Sequence, residues 1–303
     1  MRWLRDVDLL IATQLSYYDF PSFSQLSKLK RLTISQLLKE DGTQLSKLQK
    51  RWNKSQKSQS FLERFRGESA LSLCEYLAHY MIWQGGWYLI DIRDDNQNSG
   101  LYACCIEVDP TTCIIAFRGS ESTDEEQIKK DWLHADFGLL NSTLTYQQAV
   151  AEGYMRSINR KYKYEHVYLT GHSLGGNLAL HGCLTAPQML FERVRGCINF
   201  DGPGFSREYL EAYKPLIKER ETDMIHFQWS LVGALLYHFE GCHYQSIRTN
   251  DEVYHRRDME ALVVKHDTCF VSFNEVGYTI PGEMDPFAKK VGRISRGVDR
   301  ILD

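Results

Sequence analysis

Ser173 stands in the pentapeptide G-H-S-L-G, with Gly171 and Gly175 two positions away on either side. A serine on a tight glycine-bounded turn can present its hydroxyl as a nucleophile, provided that a base takes its proton and an acid orients that base. The chain supplies candidates for both downstream. His181, His226, His238, His243, His255 and His266 follow Ser173, and Asp201, Asp223 and Asp251 are the acids to weigh. The chemistry they could perform together is acyl transfer. The pentapeptide alone does not establish it, because a glycine-rich turn before a packed helix has the same spelling.

The flanks decide more than the motif. HVYLT, residues 166–170, reads as a short buried strand, and LGGNLALHGCLTA, 174–186, reads as a helix that stops before Pro187. Strand, sharp turn and helix form the setting in which a serine is lifted from a sheet edge by backbone strain. Gly171 and Gly175 leave room where side chains would collide. The Leu174 N–H, at the helix start, then faces a developing oxyanion. A second donor is expected from a loop after an earlier strand. TTCIIAF runs into Arg118-Gly119-Ser120, which makes Ser120 the candidate. His172 adjoins the serine on a tight turn and points elsewhere, so it reads as a packing or hydrogen-bonding residue. Arg118 and the pair Asp131-Trp132 read as structural.

The partners must sit on the same sheet edge. Asp201 ends the strand VRGCINF, 194–200, and so shares the C-terminal edge with Ser173, where sites of open α/β sheets form. Its D-G-P-G context is also an ordinary turn. His266 follows the apolar run ALVV, expected to be a strand, and begins the loop KHDT. It is preferred over His181, which lies on the helix leaving the turn. His226 precedes a helix or turn at WSLVGALL, and His238 and His243 flank Gly241.

Further strands are expected at LYACCIEV, 101–108, and HYQSIRT, 243–249. Helices are expected at 7–20, at 68–83, at 145–162 and at 206–220, the last with a kink or break near Pro215. Strands alternating with helices imply a mostly parallel sheet covered on both faces. Residues 1–66, polar and rich in Ser, Lys and Gln later on, read as an N-terminal helical appendage to a catalytic domain spanning 67–303. FQWSLVGALLYHF, 227–239, could line an acyl pocket, form a lid or be core.

IIAFRGS, DWLHADF and VYLTGHSLGGNLA together resemble the lipases often called class 3. With LLIATQLSYYDF near the start and FDGPGF after the motif, the chain more closely resembles a bacterial group of lipase-like α/β-hydrolases. The resemblance covers Asp8 to about Phe273, apart from the polar stretch near 40–60. It implies an α/β-hydrolase fold, ester hydrolysis without cofactor or metal, and a histidine at the H-D of residues 266–267. Some lipases of this fold hold the acid one strand after the nucleophile, as Asp201 would be. Class 3 lipases instead hold it after the following strand, in an N-D-x-V-like segment. The counterpart here, Trp229-Ser230-Leu231-Val232, has serine.

Composition narrows the function classes. With 43% hydrophobic and 25% charged residues and a net charge of -3, the chain can bury a large core and offers no basic field for nucleic acid. No apolar run is long enough to span a bilayer, which leaves peripheral contact with a membrane open. The N-terminus lacks the pattern of a secretory signal. Eight scattered cysteines without C-x-x-C spacing read as reduced buried thiols of a cytoplasmic protein. The expected function is a serine hydrolase of carboxylic esters, small or lipid, with no metal and no organic cofactor. The alternatives are acyl transfer, thioester hydrolysis, and a catalytically silent member of the fold used for binding or regulation.

Overall fold

The computed structural model describes residues 4–18, 20, 32–40, 49–50, 53–54, 57, 72–77, 83–119, 144–249 and 265–302. Seven strands form one sheet in sequential order: β1 (Tyr88–Asp95), β2 (Leu101–Asp109), β3 (Thr112–Phe117), β4 (His166–His172), β5 (Val194–Phe200), β6 (Met224–Gln228) and β7 (His243–Ser246). The first three pair antiparallel and the rest parallel. The helices are α1 (Asp6–Leu15), α2 (Ile34–Glu40), α3 (Tyr146–Lys161), α4 (Leu174–Leu184), α5 (Gln188–Phe191), α6 (Arg207–Arg220) and α7 (Pro286–Leu302).

Alternation along the strands builds two cores. Leu101, Ala103 and Cys105 of β2, with Cys113, Ile115 and Phe117 of β3, meet α3 and α4 on one face. Tyr102, Cys104, Ile106, Ile114 and Ala116 point to the other face, against α1 and α2. A strand buried on both sides reads as a continuous apolar run, as CIIAF does. Each fully buried Ile, Leu or Phe contributes about 1.5–3 kcal/mol through area removed from water.

α1 belongs to this core. Its Thr13 Oγ1 lies 2.8 Å from Thr170 Oγ1 of β4, and its buried Asp8 accepts from Arg5 and Gln84. α4 is a central helix in which every residue from Gly175 to Leu184 is buried, including Asn177 and His181, which hydrogen-bond to the Gly204 carbonyl and the Tyr209 hydroxyl.

The expected strands and helices at 101–108, 166–170, 174–186 and 194–200 appear within a few residues of their bounds. Two expectations differ and one is not tested. α6 runs unbroken from Arg207 to Arg220 through Pro215. β1 and β6 are not among the expected strands. The strand expected at ALVV lies outside the described residues. All eight cysteines are free, seven of them buried. Among the described residues no helix is long and apolar enough to cross a membrane.

Candidate active site

β4 ends at His172, Ser173 turns the chain at φ 58° and ψ -137°, and α4 begins at Leu174. A non-glycine residue in this region stores about 1–3 kcal/mol of strain that the surroundings must impose. They do so tightly. The Ser173 N–H donates to the Phe200 carbonyl at 3.1 Å, and its own carbonyl accepts from Gly176 N–H at 2.8 Å. A Cβ on Gly171 would strike the Gly175 carbonyl, and one on Gly175 would strike that of Phe117. Both glycines therefore permit the close strand–helix crossing. Leu174 is the first residue of α4, so its N–H has no acceptor within the helix.

The segment after β3 reaches the same corner. A Cβ on Gly119 would come 3.0 Å from Ser173 Cβ and 2.7 Å from the His172 carbonyl. The Gly119 N–H donates to the hydroxyl of Tyr17, just past α1, at 3.1 Å. Ser120, like Asp131, Trp132, Asp251 and His255, lies outside the described residues. Arg118 is buried with its guanidinium 4.2 Å over the Tyr102 ring, in keeping with a structural role.

Asp201 follows β5 with φ 53° and is fully buried. Its Oδ1 accepts from the N–H groups of Trp229 at 2.8 Å and Ser230 at 3.0 Å. His266 Nδ1 donates to its Oδ2 at 2.8 Å. Three donors on one carboxylate compensate its removal from water. Gly233 is required there, since a Cβ on it would strike Asp201 Oδ1. Ser230 Oγ stands 3.2 Å from His266 Nδ1 and accepts from Val232 N–H at 3.1 Å. Ser230 thus faces the same imidazole nitrogen as Asp201.

His172 fastens the two halves. Its Nε2 lies 2.7 Å from the His266 carbonyl, which can only accept, so Nε2 carries the proton. Its Nδ1 is 3.3 Å from the Tyr17 hydroxyl. Its ring stacks on Trp229 and lies 4.3 Å from that of His266. Burial, with the His266 imidazole adding to it, pushes His172 down to about 3, so it stays neutral. The sequence marks His172 as a hydrogen-bonding residue. Its link to Tyr17 is not legible there, because nothing local to LSYYDF points to a corner 155 residues away.

The other candidates are engaged elsewhere. His181 Nδ1 meets the Tyr209 hydroxyl at 2.6 Å. His226 lies between Asn199 Nδ2, at 2.8 Å, and the Gly233 carbonyl, at 3.1 Å. His238 packs on His226, and His243 is exposed beside Gln245. Asp223 is exposed just before β6, at the opposite end of the sheet from Asp201. In FQWSLVGALLYHF, Trp229, Val232, Leu236 and Phe239 are all buried, which makes the segment chiefly core.

The sequential, mostly parallel sheet, its helices on both faces and the strained serine between β4 and α4 constitute an α/β-hydrolase fold. Solved structures similar to the chain include an M37 lipase, at 18% identity and TM-score 0.36, covering 55% of this chain and 63% of that one. A mutant form of MDLA from Penicillium cyclopium is 14% identical with a TM-score of 0.39, covering 66% and 72%. A fungal lipase is 10% identical with a TM-score of 0.46, covering 92% and 86%. The chain thus spans less than two thirds of the M37 lipase. Among curated proteins none matches. A family model described as Mbeg1-like matches residues 85–279, more than half of the chain. With a fold of the hydrolase type and a match that runs from the start of β1 past His266, the chain belongs to the Mbeg1-like family.

Proposed function

We propose that this protein is a serine hydrolase of carboxylic esters that works through an acyl-enzyme on Ser173. The observation that carries the reading is the buried Asp201–His266 hydrogen bond at 2.8 Å, on the sheet edge that also bears the strained serine. Asp201 holds the proton on His266 Nδ1, which leaves Nε2 as the basic nitrogen. Nε2 takes the Ser173 proton as Oγ attacks the acyl carbon. The negative oxygen that forms is met by the Leu174 N–H, with Ser120 N–H as the second donor. The intermediate collapses, and the alcohol leaves with the proton from His266. Water, deprotonated by the same nitrogen, then attacks the acyl-serine and releases the acid.

His172 and Tyr17 serve as positioning residues in this scheme. One holds the His266 backbone, and the other holds the Gly119 N–H next to the serine.

A fluorophosphonate probe tests the reading. Mass spectrometry of the labelled, folded protein is expected to find the adduct on Ser173, and p-nitrophenyl esters of increasing chain length are expected to be turned over. A folded protein with no label and no turnover of any ester is a binding or regulatory form of the fold, and the reading fails.

A further inference from the structure

α7 carries two chemistries on two faces. Inward, Ala288 and Gly292 pack on residues 232–234, and a Cβ on Gly292 would strike the Ala234 carbonyl. Arg296 Nη1 donates to the carbonyls of Ala234, at 3.2 Å, and Leu236, at 3.1 Å. Ser295 Oγ accepts from the Leu236 N–H at 3.2 Å. At the helix start, Asp285 accepts from Phe287 N–H at 2.8 Å and pairs with Lys265 at 3.4 Å. The helix is therefore fastened to the segment that holds Asp201 and to the residue before His266.

Outward, Phe287 and Ile294 are 50% and 51% exposed. Seven residues apart, they lie on one edge two turns from each other. Lys289, Lys290 and Arg293, all exposed, occupy the neighbouring arc. Residues 286–297 hold four basic side chains and no acidic one, within a chain whose net charge is -3. An exposed apolar edge beside an exposed basic arc suits the boundary of an anionic bilayer. There the apolar side chains enter the acyl region and the cations meet headgroups. An acidic protein would have to present a matching apolar ridge, whereas a fluid lipid surface supplies both features at once.

We propose that α7 docks this protein onto an anionic lipid surface. The helix would then bring its Asp201- and His266-bearing side to the lipid, which deepens the ester-hydrolase reading by placing the substrate pool at a membrane. The docking itself does not rest on catalysis.

The test is co-sedimentation of the full chain with phosphatidylcholine vesicles and with vesicles containing about one third phosphatidylglycerol, at low and high salt. Strong binding to the anionic vesicles alone, weakened by salt, is expected. Replacing Lys289, Lys290 and Arg293 together by Gln is expected to weaken partitioning about 100-fold, from about fivefold per charge. The pair Phe287→Ser and Ile294→Ser is expected to weaken it about tenfold. Circular dichroism and unfolding midpoints show whether each variant is folded. The Ser173→Ala protein is expected to bind as the wild type does, so loss of docking and loss of hydrolysis are read separately. Equal binding to neutral vesicles, no binding to either, or wild-type partitioning by the folded triple variant overturns the proposal. The last result would move the lipid contact to the basic residues between 28 and 57.

Discussion

Two turns at the C-terminal edge of the sheet use the same backbone device. Ser173 after β4 and Asp201 after β5 both sit at positive φ, 58° and 53°. They differ in what holds them there. Much of the bracing of the serine turn comes from neighbours in sequence, with Gly171, Gly175 and the Gly176 N–H within three residues, while its N–H reaches the Phe200 carbonyl and Gly175 packs on the Phe117 carbonyl. The aspartate turn is braced from afar. Its carboxylate is held by N–H groups 28 and 29 residues later and by an imidazole 65 residues later. A turn braced largely by its neighbours is legible in the strand and helix patterns that flank the pentapeptide. A turn built by distant donors is visible only when the strands are assembled.

The largest effect breaks the local turn at its functional atom. Ser173→Ala is expected to lower kcat/KM for a soluble ester by at least about 10⁴-fold and to abolish fluorophosphonate labelling, with the fold retained. Asp201→Asn attacks the distant turn and is expected to cost about 10³–10⁴-fold in kcat through loss of His266 orientation. Adding Ser230→Asp to that variant sharpens the comparison, because Ser230 Oγ already stands 3.2 Å from the same nitrogen. Recovery of about tenfold or more is expected from steady-state kinetics. No recovery in a folded double variant would show that only the β5 position can supply the acid.

Two glycines test the packing at each turn. Gly175→Ala meets a backbone carbonyl and Gly233→Ala meets the Asp201 carboxylate. Each is expected to lose about 3 kcal/mol in urea unfolding. Gly233→Ala is further expected to disturb the Asp201–His266 pair, read as a shift in the pH profile of kcat.

The smallest effect comes from acid. Burial pushes His172 to about 3 and His226 to about 4, and the unfolded chain binds those protons near the ordinary value of 6.5. Between these values the unfolded state holds more protons. The stability is complete above pH 6.5 and is lost progressively as pH falls toward the folded values. At pH 5 each is expected to cost about 2 kcal/mol relative to pH 7.5. His172→Gln is expected to flatten the slope by about one proton, measured by urea unfolding across that range.

The sequence carries the elements on which the elbow depends. VRGCINF is β5 residue for residue, and HVYLT and LGGNLALHGCLTA differ from β4 and α4 only at their ends. Residues 167–172, 197–200 and 175–184 are buried throughout, so each segment carries a strong apolar pattern. β6 is hidden in the sequence because MIHFQ carries a histidine whose polarity is met by Asn199 and Gly233, neither adjacent to it. β1 is hidden because its end, RDD, is polar at an edge of the sheet. His266 can be singled out by its place in the chain and Asp201 by its place at the end of β5, but the hydrogen bond that joins them appears only in the assembled structure.

What the sequence determined by itself is therefore the strained serine. The glycine spacing and the change from strand to helix periodicity are written within a dozen residues, although the backbone that Gly175 must clear belongs to β3. Only the tertiary structure decided which acid meets which histidine, and that Tyr17 reaches Gly119 and His172 from α1's end. Those contacts depend on parallel strand register and on N–H groups converging from separate loops. That convergence is a property of the assembled sheet edge, and no local pattern encodes it.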